Sequence, residues 1–455
     1  MRSADPPYAP PVTTTLPGPE GEVTGDPDDL AQVTALLVPR DGVPAVVETS
    51  TALAELVARF AGGHGPVAID AERASGYRYG QRAYLVQLRR AGAGSALIDP
   101  ICCPDLSLLG KVLQGDEWVL HAASQDIPCL AEVGMVAPAV FDTELAGRLA
   151  GFDRVGLGAM VESVLGLRLE KGHSAADWST RPLPQEWLVY AALDVEVLLE
   201  LRDALEAELD RQGKLGWAHE EFEAVRTAPP PPPRVDPWRR VSGVHKLRTR
   251  RQLAAVRAMW EVRDRMARSR DTAPGRILPD SAIIAAVLAA PTSAAELVAL
   301  PVFGGRSTRR HAATWLAALT QAAALPDTAL PHPAAVGDGP PPPNRWSERD
   351  PVAALRLTRA RGAVATLAGR LAMPTENLVP PDAVRRLAWS PPEPADEAGV
   401  RAALASTGAR AWQVALVGPP LTAALLDPGP ESHGPGSPDA DSPDLTDPPA
   451  GLVAR

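Results

Sequence analysis

Two runs of proline decide how this chain can be divided. Pro229 to Pro233 form one, and Pro340 to Pro343 form the other. Proline lacks a backbone N–H and fixes φ, so neither run fits inside a helix or a central strand. Both read as stiff polyproline II spacers. At 455 residues the chain is also too long for one core. Three folded pieces are expected, at 31–226, 236–326 and 344–426, with Pro-rich linkers at 227–235 and 327–343. Residues 1–30 and 427–455 are rich in Pro, Gly and acids and read as disordered acidic tails.

The net charge of −10 is spread unevenly. Each tail holds six acids against one Arg. Residues 31–237 hold 18 Lys and Arg against 29 Asp and Glu, whereas residues 238–325 hold 15 against 5. Residues 344–426 hold 10 against 7 and are nearly balanced. An acidic piece followed by a strongly basic one suggests a metal site joined to a grip for a polyanion. The plainer alternative is a solvated, Arg-rich surface. No run of 18 uncharged apolar residues is present, so no membrane span is expected. Met1 to Glu22 lacks the basic start and apolar stretch of a secretory signal. The three cysteines, Cys102, Cys103 and Cys129, fit neither a disulfide framework nor zinc spacing. Reduced thiols in a cytoplasm are the expectation.

The first piece mixes both kinds of element. Strands are expected at 34–38, 45–48, 67–71, 84–89, 96–98 and 118–121, with a hairpin turn at Gly92-Ala93-Gly94-Ser95. Helices fit 52–60 with Thr51 as cap, then 105–113, 125–133, 142–150, 156–165 and 184–210. This is an α/β domain with a mixed sheet. The later pieces are helical by pattern. Leu253, Val256 and Trp260 share one helix face, and Ser293-x-x-Glu296 reads as a capping box. Ile277-Leu278-Pro279-Asp280 and Leu378-Val379-Pro380-Pro381-Asp382 each precede a short apolar helix, with Asp as its cap. They suggest two copies of one small module, the second diverged.

The chemistry starts at Val67-Ala68-Ile69-Asp70-Ala71-Glu72. Val67 to Ile69 read as a buried strand after Gly65-Pro66. Asp70 and Glu72 are two apart, so an extended segment points them the same way. Side by side they repel, and one must protonate or recruit a cation. Hard oxygen ligands of this kind suit magnesium or manganese. Alone, such a pair is more often a solvated face. Further on, His121 ends a strand and Asp126 sits at a helix start. Phe141-Asp142-Thr143 opens another helix, Lys171-Gly172-His173-Ser174 and Asp177-Trp178 make a polar loop, and Tyr190 and Asp194 are one helical turn apart.

Together these features resemble ribonuclease D, a family of DEDD-type 3′→5′ exonucleases, in its tyrosine-bearing subgroup. Asp70 and Glu72 match its first motif, Asp126 its second, and Tyr190 with Asp194 its third. The strings Phe141-Asp142-Thr143 and Asp177-Trp178-Ser179-Thr180-Arg181-Pro182-Leu183 also look like that family, over about residues 34–226. The helical pieces are similar to HRDC domains, the second more loosely. The resemblance implies a ribonuclease H-like exonuclease domain followed by two small all-α domains. It implies metal-dependent removal of nucleotides from RNA 3′ ends, in tRNA or other structured RNA. Asp70, Glu72, Asp126 and Asp194 would hold two divalent cations, Mg2+ or Mn2+, about 4 Å apart. Tyr190 would orient the attacking water.

The neighbours have plainer roles. Asp142 reads as a helix cap, His121 as strand-end packing and Trp178 as core. His173 either lines the substrate path or caps its loop, and alternation leaves the direction of Gln87 open. Arg248, Arg250, Arg251, Arg257, Arg263, Arg265, Arg268 and Arg270 cluster on or beside one helix, where RNA phosphates are their natural partners. The RNA 3′ end would enter the metal site while the body lies on this basic piece. No obligate protein partner is visible. A DNA exonuclease is the rival enzyme, since nothing in these motifs reads a 2′-hydroxyl. A silent RNA-binding scaffold is the rival of another class, and the full set of acids with Tyr190 argues against it. Four convergent acids fit metals better than a glycosidase pair.

Overall fold

The computed structural model describes residues 33–170, 172–333 and 339–426. Both acidic tails, Lys171 and part of the second linker lie outside the described residues. Among the described residues, no helix is long and apolar enough to cross a membrane.

In the first piece the strands are β1 (Thr34–Leu36), β2 (Val46–Val47), β3 (His64–Arg73), β4 (Ala83–Ala91), β5 (Gly94–Ile98), β6 (Glu117–Leu120), β7 (Ala139–Asp142) and β8 (Leu167–Leu169). Six of them form one mixed sheet in the order β2-β5-β4-β3-β6-β7. Strand β3 is antiparallel to β4 and parallel to β6. Its run Val67, Ala68 and Ile69 is fully buried, because helices cover both faces of the sheet. The hairpin turn at Gly92–Gly94 is as expected, with positive φ at both glycines. β1 and β8 form a separate parallel ribbon. Helices α1 (Ser50–Ala61), α2 (Ser107–Val112), α3 (Ile127–Glu132), α4 (Thr143–Ala150), α5 (Leu157–Leu165), α6 (Gln185–Glu196), α7 (Leu198–Arg211) and α8 (Leu215–Arg226) complete the α/β, ribonuclease H-like domain. Thr49, not Thr51, caps α1, because its extended backbone lets the hydroxyl accept from Ala52 N at 3.2 Å. The single helix expected over 184–210 is two, broken at Val197.

The next piece carries α9 (Arg250–Ser269), α10 (Pro274–Ile277), α11 (Asp280–Ala289), α12 (Ala294–Ala299), α13 (Arg306–Arg310) and α14 (Ala312–Ala323). The last carries α15 (Trp346–Arg349), α16 (Pro351–Leu371), α17 (Thr375–Leu378), α18 (Pro381–Trp389), α19 (Glu397–Ser406) and α20 (Ala411–Leu426). The repeat shows in the element lengths. A helix of 20 residues, one of 4 and one of 10 in α9–α11 answer to 21, 4 and 9 in α16–α18. Neither repeat Asp caps its helix, since proline already holds the cap position. Asp280 instead accepts from Ser242 N and pairs with Arg263, and Asp382 pairs with Arg385 and Arg386. Ser293 accepts from Glu296 N, but the Glu296 carboxylate accepts from Thr292 N, so the box is only half formed.

The proline runs do not hold the pieces apart. α16 to α20 share one apolar core with α7 and α8: Leu205, Leu209 and Phe222 belong to the same cluster as Leu357, Trp412 and Leu421. The buried Lys214 ammonium donates to Leu149 O at 2.8 Å and Leu371 O at 2.6 Å. Trp217 stacks on Trp412, with centroids 5.1 Å apart. The α9–α14 module docks through polar contacts on the β3–β4 loop. Ala273 N donates to Tyr77 O at 2.9 Å, Arg276 Nε to Gly76 O at 2.8 Å, and Tyr79 Oη to Asp264 at 3.0 Å.

Candidate active site

Three elements bring the acids together. Strand alternation on β3 puts Asp70 and Glu72 on one side. Helix α6 crosses that side and presents Asp194, one turn after Tyr190. One carboxylate oxygen from each of Asp70, Glu72 and Asp194 lies within 4.8 Å of the others. Asp126, at the start of α3 and 4 % exposed, stands outside this triad but lines the same cavity of about 1130 Å3. The cavity lining takes in Arg168 and Leu169 of β8, Val33 just before β1, and the α4–α5 loop.

Burial raises all four carboxyls, as low dielectric disfavours their charge. Glu72 and Asp194 rise well above the usual range, with Asp70's charge as the second cause. Asp70 itself is raised by burial. Asp126 is pushed up to about 8 by burial and then by Asp70. Tyr190 is raised by burial and then by the neighbouring Asp194 charge. Such a group of acids cannot be fully ionised without added positive charge. That is the electrostatic form of a divalent-cation site, and hard carboxylate oxygens are the fitting ligands.

Supporting residues hold this geometry. Asp142 is a helix cap: its carboxylate accepts from Ala122 N, Ala123 N, Glu144 N and Leu145 N at 2.9–3.2 Å. It thereby pins the turn at Ala122, whose φ is 61°, that leads into Asp126. His121 bonds Thr143 Oγ1 at 2.9 Å, and burial pushes its imidazole down to about 4, so it is neutral. Trp178 is fully buried core, with its ring 5.3 Å from Trp187 and 6.3 Å from Tyr190. His173 faces the Tyr190 ring edge-on at 5.9 Å, while its neighbours Gly172 and Ser174 line the cavity. Gln87 lies opposite Asp70 in the register but is fully buried and does not line the cavity. Arg181 clamps the loop before α6 by bonding Asp99 Oδ2 at 2.6 Å and Tyr84 O at 2.7 Å. That contact accounts for the Asp177-to-Leu183 string, which is a brace for α6.

The eight arginines do not form one open face. Arg263 is buried and pairs with Asp280. Arg250 and Arg251 donate to carbonyls after α14, Arg257 donates to Ala329 O, and Arg268 bonds Tyr79 and Asp264. Long side chains near a helix surface serve their own fold when carbonyls are in reach. Arg248, Arg265 and Arg270 remain exposed.

A mixed α/β sheet with convergent acids on its central strand and on a crossing helix defines a 3′→5′ exonuclease domain. Residues 44–210 match the family model described as 3'-5' exonuclease, 252–319 match HRDC domain, and 339–425 match 3' to 5' exonuclease C-terminal domain. Ribonuclease D of Acidiphilium cryptum is 34 % identical over 314 residues, covering 66 % of this chain and 77 % of that protein. A crystal structure of a protein from Bifidobacterium adolescentis superposes with a TM-score of 0.80 at 38 % identity, covering 86 % of this chain and 99 % of that one. Escherichia coli ribonuclease D, described as an exoribonuclease involved in structured RNA processing, gives a TM-score of 0.58 at 28 % identity, covering 76 % and 89 %. The chain belongs to the ribonuclease D family and is a 3′→5′ exoribonuclease.

Proposed function

We propose that this exoribonuclease trims the 3′ ends of structured RNA, tRNA precursors among them, with Asp70, Glu72, Asp126 and Asp194 as ligands for two divalent cations, Mg2+ or Mn2+. The observation that carries the reading is the cluster of Asp70, Glu72 and Asp194, its oxygens within 4.8 Å of one another, with Asp126 lining the same cavity. Bound there, divalent cations supply a nucleophilic water at neutral pH, neutralise phosphate charge and stabilise the leaving oxygen. The chain's own residues do the rest. Asp70, whose charge acts on Glu72, Asp126 and Asp194 alike, would hold the cations together with those three. Tyr190, one turn before Asp194, holds the attacking water through its hydroxyl. The Trp178–Trp187 packing and the Arg181 clamp keep α6, and so both of these groups, in place.

The RNA body lies on the α9–α14 module. Its exposed cations outside any ion pair among the described residues include Arg306, Arg309 and Arg310 on α13, and Arg270. Arg270 Nη2 is 2.9 Å from His311 Nε2, and Arg270 and Arg310 both help burial to lower that imidazole's pKa, so the cations crowd together. The adjoining Asp271 accepts from Tyr79 N of the β3–β4 loop, which starts at the end of the acid-bearing strand.

Degradation of 3′-labelled and 5′-labelled RNA and DNA, with and without EDTA, tests the reading. Loss of the 3′ label from RNA, abolished by EDTA and restored by Mg2+ or Mn2+, is expected. Undiminished activity in EDTA would remove the metal assignment, and equal rates on DNA would remove the RNA preference.

A further inference from the structure

Motif spacing does not point to Arg73. On an unbroken β3 it would face away from Asp70 and Glu72. The register between β3 and β4 is broken there. Glu72 pairs with Leu85 and Arg73 with Ala83, so Tyr84 is passed over. Tyr84 and Leu85 pack together on the α6 side of the sheet, whereas Ala83 packs with Val86 on the other side. Arg73 therefore leaves the strand end on the side of α3, beside Gln125 and Asp126. The guanidinium lines the cavity with the acids. Its Nη2 donates to Gln125 Oε1 at 3.0 Å, its Nε is 3.8 Å from Asp126 Oδ1, and the side chain is still 24 % exposed. These two contacts use a fraction of the five N–H donors of the fork. Once cations take the charge of Asp126, that loose pairing weakens. A planar, permanently charged group then faces the place where RNA phosphates must lie.

We infer that Arg73 contacts a phosphate oxygen of the RNA at the acid cluster, and is a substrate-binding residue of this site, not a brace for Asp126. The inference rests on the exonuclease reading above. Two effects of opposite sign separate contact from brace. Taking a cation away from Asp126 removes a competitor for divalent ions, so metal binding holds or tightens. Taking away a phosphate contact weakens RNA binding and lowers its salt dependence by about 0.7 in log–log slope for a single strand.

The test compares the full wild-type chain with Arg73→Gln and Arg73→Lys. Mn2+ binding is measured by calorimetry without RNA. KM and kcat are measured on a short single-stranded RNA at saturating Mn2+ over a range of salt. Arg73→Gln is expected to raise KM on the order of tenfold, the loss of one charge-assisted hydrogen bond. It should flatten the salt slope by about 0.7 and leave Mn2+ affinity equal or higher. Arg73→Lys should recover the slope but only part of KM, because a point charge lacks the fork. Weaker Mn2+ binding with unchanged KM would mean a brace and overturn the inference. No change in either quantity would overturn it too. A wild-type chain without metal-dependent 3′→5′ activity would overturn the exonuclease reading itself, a result distinct from the other two.

Discussion

The two helical modules share an order of helix lengths yet meet the exonuclease domain in different ways. The α15–α20 module adds Trp412, Leu421 and its neighbours to the core that holds Leu205, Leu209 and Phe222. At the join the buried Glu221 accepts from Trp412 Nε1 at 3.1 Å and pairs with Arg410 at 3.0 Å. At Gly151, with φ of +90°, an added Cβ would lie 2.2 Å from Ala372 O, so the two backbones touch. The α9–α14 module keeps its own core around Trp238, Val256, Ile283 and Trp315, and of the exonuclease domain only Tyr79 packs against it. The rest of its seam is hydrogen bonds and two arginines over tyrosine rings. Apolar merging makes one folding unit, whereas a polar seam joins two units that can each stand alone. Charge follows the same division, with the basic residues on the module that is joined least.

The largest effect that could break this comparison comes from cutting the chain. Ending it at residue 333 removes α15–α20 and leaves Leu209, Trp217 and Phe222 facing water. The expected product aggregates or melts without cooperativity, as judged by gel filtration and circular dichroism. Ending it at Arg226, the cut that the charge distribution alone suggests, removes the same packing and so cannot isolate an RNA grip. Trp412→Ala is the milder form of this test. It should cost about 3–5 kcal/mol of stability. A folded, cooperative protein from the shorter chain would place α15–α20 beside the α9–α14 module as an appendage.

A second, smaller effect comes from pH. Folding raises the Asp126 carboxyl from 3.8 to about 8. A raised acid contributes stability while it is protonated, fully so below its unfolded value, and loses it as pH rises toward the folded value. Without divalent ions the exonuclease unit should therefore lose stability between about pH 4 and pH 8. Added Mg2+ favours the ionised acids, so its increment in Tm should be larger at pH 8 than at pH 6. In calorimetry that increment should fall on the transition that carries α15–α20 and spare the one that carries α9–α14. Equal shifts of both transitions would mean that the polar seam couples the two units after all.

What the sequence made legible, and what it hid, follows the range of the forces involved. That Asp70 and Glu72 share a side, and Tyr190 and Asp194 a helix face, was readable because alternation and helical spacing are local. The two helical pieces and their repeat were readable because proline punctuates them. Arg73 was hidden because alternation points it away from Asp70 and Glu72, and its partners Gln125 and Asp126 come from much later in the chain. β7 and β8 were missed because four and three residues carry little pattern, and α8 was missed although Leu215, Ala218, Phe222 and Val225 recur at helical spacing. The merger of α15–α20 with the catalytic core was hidden for a third reason. Whether two apolar faces meet is a long-range fact that a spacer of prolines between them does not decide. The arginines of α9 misled in the same way: Arg250, Arg251 and Arg263 look free in sequence, but carbonyls and Asp280 reached from later in the chain engage them.

The smallest expected effect on stability is also the sharpest on the proposed RNA grip. Arg306, Arg309 and Arg310 are exposed, and no acid lies in the sequence between Glu296 and Asp327 to pair with them. Replacing all three by Ala removes self-repulsion as well as charge, so stability should move by no more than about 0.5 kcal/mol. Each phosphate contact on a single strand contributes about 0.7 to the salt slope of binding. Three lost contacts should flatten that slope by about 2 and raise KM on a tRNA-sized substrate at low salt. On an oligonucleotide too short to reach α13, KM and kcat should stay as in the wild type, because none of the three lines the acid cavity. KM measured for both substrates at low and moderate salt reads the two expectations at once. Equal KM values for variant and wild type on the long RNA would leave the exposed module without an RNA role. A polar seam would then be the mark of a protein-binding or spacing element, and the difference between the two modules would no longer be one of structure against substrate.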